Sequence, residues 1–445
     1  MLKPNILFIL IDSMRSDRCY GKNKTTNTPN IDSLIQEGVF FKQAISSSDY
    51  TITGYGSIFT GLFPIDAGIS GMSYHKIFSK VPNYIGLLQN YGYHTYATMD
   101  TSSTKLEFSS FFENNDQEYD RTKTTLFNGL GEKILKQFDS IEFKEPWFYF
   151  IHIEDLHIPV RVPEKFMNKK YSERYDFVVE NIDFWLGKFL KKIDLKNTIL
   201  ILTADHGDYI LSTDDSQKNS LNQKIKSKIR SNVSNTVYDF LSSKKRQTER
   251  KIKFATAQTS VEKRSIDTRT AKKRYLFDDV THIPFLMTGA QIPHTGIVSN
   301  MVRNVDIFPT IGELIGLPKN PEQIDGRSLL DLLNGKNMIE EPAYLENTIF
   351  ATDTQSPIPC IGIRTSNYKY FREHNNIQKN IHLYDLRNDP LEENNLADEN
   401  QNIVKKMEKL LSEIREKLQA NFEETPLTDE ETKKIETELK KLGYI

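Results

Sequence analysis

The sequence predicts an α/β fold: a large, mixed but mostly parallel sheet sandwiched by helices, followed by a smaller C-terminal subdomain of antiparallel strands. Three observations carry this prediction. Short apolar runs alternate with amphipathic helix patterns along most of the chain. Two of these runs, Asn5–Ile11 and Thr198–Leu202, each lead to an aspartate, Asp12 and Asp205, at the edge where open α/β sheets keep their sites. From Ala343 to Leu386 the pattern changes to tyrosine-rich strand alternation, which suits a small antiparallel sheet.

Taken in order, Asn5–Ile11 is the first core strand. Thr28-Pro29-Asn30 caps an amphipathic helix over Ile31–Glu37 that Gly38 closes, and a strand follows over Val39–Gln43. Ile85–Tyr93 reads as a helix ending at glycine, and Thr95–Met99 as the next strand. Trp147–Ile153 is a third apolar run, within which His152 reads as a structural strand residue. Asp176–Lys192 is a helix that leads into the strand carrying Asp205. Ile283–Met287 is a strand, Asp306–Leu317 a short helix, and Asn402–Leu418 an amphipathic helix. The boundaries implied are 1–340 for the main domain and 341–445 for the C-terminal subdomain.

At 445 residues the chain exceeds one average domain, consistent with a core of about 330 residues and a smaller unit. A net charge of −2 argues against a polyanion partner for the whole molecule. The charge is uneven, however: residues 212–274 hold 17 Lys and Arg against 6 Asp and Glu, a formal +11, which leaves −13 elsewhere. This segment reads as an insertion, partly helical around Thr236–Phe254. It either contacts a polyanion, or gates the cleft, or forms a homo-oligomer contact, or simply solvates a projecting arm. Cys19 and Cys360 are too few for a disulfide framework and fit a reducing compartment. The seven-residue N-terminal run is shorter than a signal peptide requires, and no stretch reaches about 18 apolar residues. The expected location is the cytoplasm, with no membrane span.

Asp12 and Asp205-His206-Gly207 together suggest a metal site. Their order along the chain with other motifs is similar to that of the sulfatase family within the alkaline-phosphatase superfamily. Pro4-Asn5-Ile6-Leu7 through Asp17 resembles the family's first strand and metal loop, and Thr60-Gly61-Leu62-Phe63-Pro64 the end of its nucleophile helix. Asp155-Leu156-His157-Ile158-Pro159, Thr281-His282-Ile283-Pro284 and Asp325-Gly326-Arg327 follow in family order. Tyr368-Lys369-Tyr370 and Leu383-Tyr384-Asp385-Leu386 resemble its C-terminal subdomain.

The resemblance implies a nucleophile nine residues before Thr60, which is Thr51. Where the family has the proline and arginine needed to make formylglycine from cysteine, this chain has Thr53 and Tyr55, so no formylglycine is expected. Cys360-Ile361-Gly362-Ile363-Arg364 imitates that motif but lies in the C-terminal strand region, and is a decoy. Threonine at this offset resembles the phosphodiesterase and phosphotransferase branches of the superfamily, where a metal-activated alkoxide forms a covalent intermediate. Gly54 and Gly56 would let backbone amides approach an anion. Read alone, Thr51 could equally cap the helix that follows it.

The metal set implied is Asp12, Thr51, Asp205 and His206, holding one divalent ion: Mn²⁺, Zn²⁺, Ca²⁺ or Mg²⁺. Ser13 stands where many sulfatases have a second aspartate. His157 and His282 resemble residues that contact the anion or protonate the leaving group, so both are catalytic and substrate-binding candidates. Arg15 is a further substrate-binding candidate. The function implied is a metal-dependent hydrolase or transferase that cleaves a phosphate ester or diester, of a small molecule or glycan, through Thr51. The alternatives are a sulfatase acting on a sulfated sugar and a non-catalytic binder of anionic glycans.

Overall fold

The structure is a computed structural model that describes residues 3–68, 83–101, 108–210, 248, 251–257, 259–271, 275–292, 296–317, 324–347 and 358–418. Among the described residues the main sheet has nine strands: β1 (Asn5–Ile11), β2 (Val39–Ile45), β3 (His94–Asp100), β4 (Glu118–Tyr119), β5 (Trp147–Ile153), β6 (Thr198–Thr203), β7 (His282–Ile283), β8 (Phe285–Gly289) and β9 (Gly296–Arg303). Their order is β4-β3-β5-β1-β6-β8-β2-β7, with β9 also on β2. The first five of these are parallel, and β8 runs against both β6 and β2.

Both faces of the sheet are covered, and the pleat of β5 shows how. Successive side chains of a strand point to opposite faces. Phe150 packs against Phe59 of the Thr51–Thr60 helix and Phe148 against Phe308 of the Ile307–Leu314 helix, with ring centroids 5.3 and 6.2 Å apart. Tyr149, between them, meets Phe138 of the Leu130–Ser140 helix at 5.3 Å. A strand buried on both faces needs apolar residues at most positions, which is why β1, β5 and β6 read as near-continuous apolar runs, with His152 the polar exception near the end of β5. All residues of these three strands are buried.

The C-terminal sheet is antiparallel throughout, in the order β10 (Ala343–Glu346), β11 (Cys360–Arg364), β12 (Tyr368–Glu373) and β13 (His382–Asp385). One face carries Ile361, Ile363 and Tyr370 against Val404, Met407 and Leu411 of the Gln401–Lys417 helix. The other carries Cys360, Phe371 and Tyr384 against Ile45, Phe277 and Met301 of the main domain. The two sheets are stitched where β2 ends, because the Glu346 amide donates to the Ser47 carbonyl at 3.0 Å, four residues before Thr51. Cys360 is inside this sheet, and burial pushes its thiol up to about 12.

Two expectations are revised. The edge strand β9 was not foreseen, its alternation being masked by Ser299 and Asn300. Of the basic segment, residues 211–247, 249–250, 258 and 272–274 lie outside the described residues, so most of the anticipated helical stretch at 236–254 cannot be placed. The described Ser260–Ala271 helix does not project. Ile266 is buried, and the Arg264 guanidinium pairs with the buried Asp279 carboxylate.

The motif Asp325-Gly326 has a structural task. Amides of both residues donate to the Gly61 carbonyl, at 3.0 and 2.9 Å, and the Phe63 amide donates to Asp325 Oδ2 at 2.6 Å. A Cβ on Gly326 would lie 1.9 Å from the Val305 carbonyl oxygen, so only glycine fits there. Asp66 sits beside the Asp325 carboxyl; burial first, and the Asp325 charge second, push Asp66 up to about 7. A carboxyl whose folded pKa is raised binds more protons folded than unfolded, so stability falls as pH rises from its ordinary 3.8 to about 7. Asp66→Asn should remove this slope, with a gain in Tm over the parent that is largest above about pH 7 and absent below about pH 4 in thermal unfolding.

Candidate active site

The site grows from two neighbouring strand ends. In the parallel β1–β6 pair Leu10 lies opposite Thr203, which carries Asp12 and Asp205 to adjacent positions just past the sheet. Both are fully buried. Asp205 Oδ1 accepts the amides of Ser13 and His206 at 3.1 and 2.8 Å, which fixes the carboxylate and leaves Oδ2 buried with no hydrogen-bond partner. Ser13 Oγ donates to Asp12 Oδ1 at 2.5 Å. To present both its amide and its hydroxyl, Ser13 takes a φ of 60°, a region costly for a residue with a Cβ and common at functional turns.

Thr51 is brought to these carboxylates by the helix it begins. Tyr50 occupies the N-cap, so Thr51 is the first helical residue and its hydroxyl is not the cap. That hydroxyl lies 3.0 Å from Asp12 Oδ2 and 3.3 Å from His206 Nε2. His206 Nδ1 faces the Gly207 carbonyl at 2.7 Å; a carbonyl only accepts, so Nδ1 carries a hydrogen and the ring turns Nε2 toward Thr51. Gly54 has a packing reason rather than an anion-binding one: a Cβ there would lie 2.8 Å from the Asp205 carbonyl oxygen. The helix rests directly on the strand end that holds the second carboxylate.

His152 joins this group, which the sequence did not suggest. It sits on β5 opposite Leu10 of β1, fully buried, with a ring nitrogen within 4.8 Å of carboxylate oxygens of both Asp12 and Asp205. Neither ring nitrogen has a hydrogen-bond partner. The available signal was strand order: this lone polar residue near the end of an apolar run lies on the strand that flanks the one carrying Asp12.

The remaining candidates are placed as follows. His157 is buried, its Nδ1 donates to the Ile158 carbonyl at 2.7 Å, and it interacts electrostatically with Asp12 and His206. Arg15 is held by Asp17, with bonds of 3.0 and 2.8 Å, by Asp279 and by the Asp208 carbonyl. His282 does not come to the Asp12–Thr51 group. Its Nε2 meets the Lys42 carbonyl at 2.8 Å, and with Arg15, Lys42, Asp278 and Arg364 it lines a cavity of about 730 Å³.

Electrostatics divides the cluster. Burial first, then the Asp12 charge, push Asp205 up to about 7. Burial works against ionisation of Asp12 as well, but His157, His206 and His152 hold it below the ordinary carboxylate range. Burial pushes His152 and His157 each down to about 3, which keeps both rings neutral. For His206 burial is outweighed by Asp205 and Asp12 together, and its pKa rises. Two buried carboxylates facing each other, with one oxygen and one imidazole that no hydrogen bond satisfies, are costly unless a cation joins them. The donor set fits a divalent ion of the Mn²⁺ or Zn²⁺ kind.

Such a centre, when loaded, neutralises an oxyanion and lowers the pKa of a hydroxyl beside it. Asp12, Thr51, Asp205 and His206, and with them His152, are the residues that would hold it. The cluster thus gathers a side-chain hydroxyl, two carboxylates and two imidazoles at one end of the sheet.

Comparison with known proteins agrees with this chemistry. The family profile described as Sulfatase matches residues 4–317, and that described as N-sulphoglucosamine sulphohydrolase, C-terminal, matches residues 268–417. An ulvan-active sulfatase of Formosa agariphila is 24% identical over 435 residues, covering 89% of this chain and 76% of its own. A solved structure bound to its substrate, D-glucosamine-2-N,6-O-disulfate, superposes with a TM-score of 0.63 at 15% identity, covering 94% of this chain and 98% of its own. The phosphonate monoester hydrolase of Agrobacterium radiobacter does so with a TM-score of 0.62 at 15% identity, covering 94% and 96%. With strand-end carboxylates, a helix-borne hydroxyl and a matching C-terminal sheet in place, this chain belongs to the sulfatase family and is an ester hydrolase of the alkaline-phosphatase superfamily.

Proposed function

We propose that this protein hydrolyses the sulfate ester of a sulfated sugar, with Thr51 as the attacking group. The observation that carries the reading is the convergence of the Thr51 hydroxyl with Asp12 and His206 at 3.0 and 3.3 Å. Thr51 Oγ1 forms a bond to sulfur as the bond between sulfur and the sugar oxygen breaks; the Thr51 proton passes to Asp12 Oδ2 or His206 Nε2, and the sugar leaves as the alcohol after taking a proton from solvent. Water then attacks the sulfur of the threonine ester, the S–Oγ1 bond breaks, Thr51 regains the proton held by Asp12 or His206, and hydrogen sulfate leaves, its proton passing to solvent. His157 stands beside Asp12 to orient the anion's oxygens. The relatives named above favour a sulfated glycan as the substrate class, and the basic segment at 212–274 suits an anionic one.

A second reading, a phosphate or phosphonate ester, is favoured by Thr51 itself. With Thr53 and Tyr55 where formylglycine formation needs proline and arginine, the easy release of sulfate from an aldehyde hydrate is lost, whereas a phospho-threonine can be resolved by water. Turnover of nitrophenyl sulfate, a bis-nitrophenyl phosphate and a nitrophenyl phosphonate, with and without added Mn²⁺, separates the readings. The first predicts metal-stimulated turnover greatest on the sulfate, the second greatest on a phosphorus ester. No stimulated turnover on any of the three would leave a glycan-binding relative.

A further inference from the structure

We propose that His152 is a nitrogen ligand of the cation centre and tilts it toward borderline transition ions such as Zn²⁺ and Mn²⁺ and away from Ca²⁺. This rests on the reading of Asp12 and Asp205 as a cation centre and adds what that centre selects.

The geometry around His152 leaves its ring few other tasks. It is fully buried, so a donor or acceptor without a hydrogen bond there loses its hydration without replacement. Yet neither nitrogen is hydrogen-bonded, and one lies within 4.8 Å of both metal-type carboxylates. Simple packing does not explain this, because an apolar residue would fill the place beside Tyr55 and Phe150 without that cost; their rings lie 4.9 and 6.2 Å from the imidazole.

The backing of the ring is that of a metal-bound histidine. Nδ1 stands 3.4 Å from Glu154 Oε1, and Arg121 holds Glu154 at 3.1 Å on its other oxygen. A carboxylate behind one ring nitrogen fixes the tautomer and turns the other nitrogen to the ion. Tyr119 locks the strand end, donating to the His152 carbonyl at 2.9 Å and accepting the Glu154 amide at 3.1 Å.

The consequence follows from donor chemistry. With Ser13 supplying no carboxylate, the centre offers two carboxylates, the Thr51 hydroxyl and the imidazoles of His152 and His206. Ca²⁺ binds through many hard oxygens, whereas Zn²⁺ and Mn²⁺ accept imidazole readily. In this chain nitrogen stands in for the missing charged oxygen.

The test is calorimetric titration of the metal-free protein with Zn²⁺, Mn²⁺ and Ca²⁺, in the parent and in His152→Phe, Glu154→Gln and Ser13→Asp. His152→Phe should weaken Zn²⁺ by at least about 100-fold and Glu154→Gln by about 10-fold, with Ca²⁺ changed by less than about 3-fold. Ser13→Asp should strengthen Ca²⁺ most. Equal loss for all three ions in His152→Phe, or no loss, overturns the assignment while leaving the cation centre standing. A parent chain that binds none of the ions overturns the centre itself. If His152→Phe does not fold, as judged by circular dichroism, electron spin-echo spectra of Mn²⁺-loaded, ¹⁵N-histidine-labelled His206→Asn decide the matter. A remaining histidine nitrogen coupling supports the assignment and its absence overturns it.

Discussion

Thr51→Ala should cut kcat on the preferred ester by at least about 10³-fold while the protein remains folded and still binds its cation. The size follows from what is lost: among the described residues the Thr51 hydroxyl is the one given within hydrogen-bond reach of both Asp12, at 3.0 Å, and His206, at 3.3 Å. Stability should barely change, because Tyr50 rather than Thr51 holds the N-cap, and the loss of a side-chain cap worth about 1 kcal/mol does not apply. Thr51→Ser, which keeps a hydroxyl at the helix start, should recover part of the rate. Steady-state kinetics beside thermal unfolding separate this outcome from simple destabilisation. A Thr51→Ala protein with near-parental kcat would remove Thr51 from the chemistry.

Asp12→Asn should have an effect as large, for a different reason. Replacing the ionised oxygen near Thr51 removes one of the two charges that draw a cation into the cluster, and a cation contributes several kcal/mol of charge stabilisation, about 10³-fold in rate. The loss should therefore appear in both metal affinity and kcat, whereas Thr51→Ala loses mainly kcat. Measuring Mn²⁺ affinity and turnover on both variants tells the two roles apart. Retained affinity in Asp12→Asn would mean that Asp12 serves Thr51 only as a proton acceptor.

Where the chain declares its structure locally, the sequence is transparent. β1, β5 and β6 are buried on both faces, so each is a near-continuous apolar run; the ends of β1 and β5 are read to the residue and that of β6 to within one, Leu202 against Thr203. Asp12 and Asp205 follow from those ends, whereas Thr51 is reached only through the family resemblance, which implies a nucleophile nine residues before Thr60. What stays hidden depends on which strands become neighbours. His152 gains its meaning only once β5 lies beside β1, since nothing in Trp147–Ile153 alone separates a ligand from a core histidine. His282 shows the converse: its motif suggested the catalytic centre, but the short β7 pairs with β2 and turns the ring to the Lys42 carbonyl. Gly54 was legible as a close approach, though not of what; the partner is the Asp205 backbone, 151 residues away in helix-to-strand packing by the numbering.

The most direct test of the central claim is to quench the reaction with a fast-leaving ester before steady state and map the adduct by peptide mass spectrometry. A sulfuryl or phosphoryl group on the peptide beginning at the Thr51 helix, localised to Thr51 and absent from Thr51→Ala, is the predicted result. Metal-stimulated turnover with Thr51 unmodified throughout, or with the adduct on another residue, would contradict it.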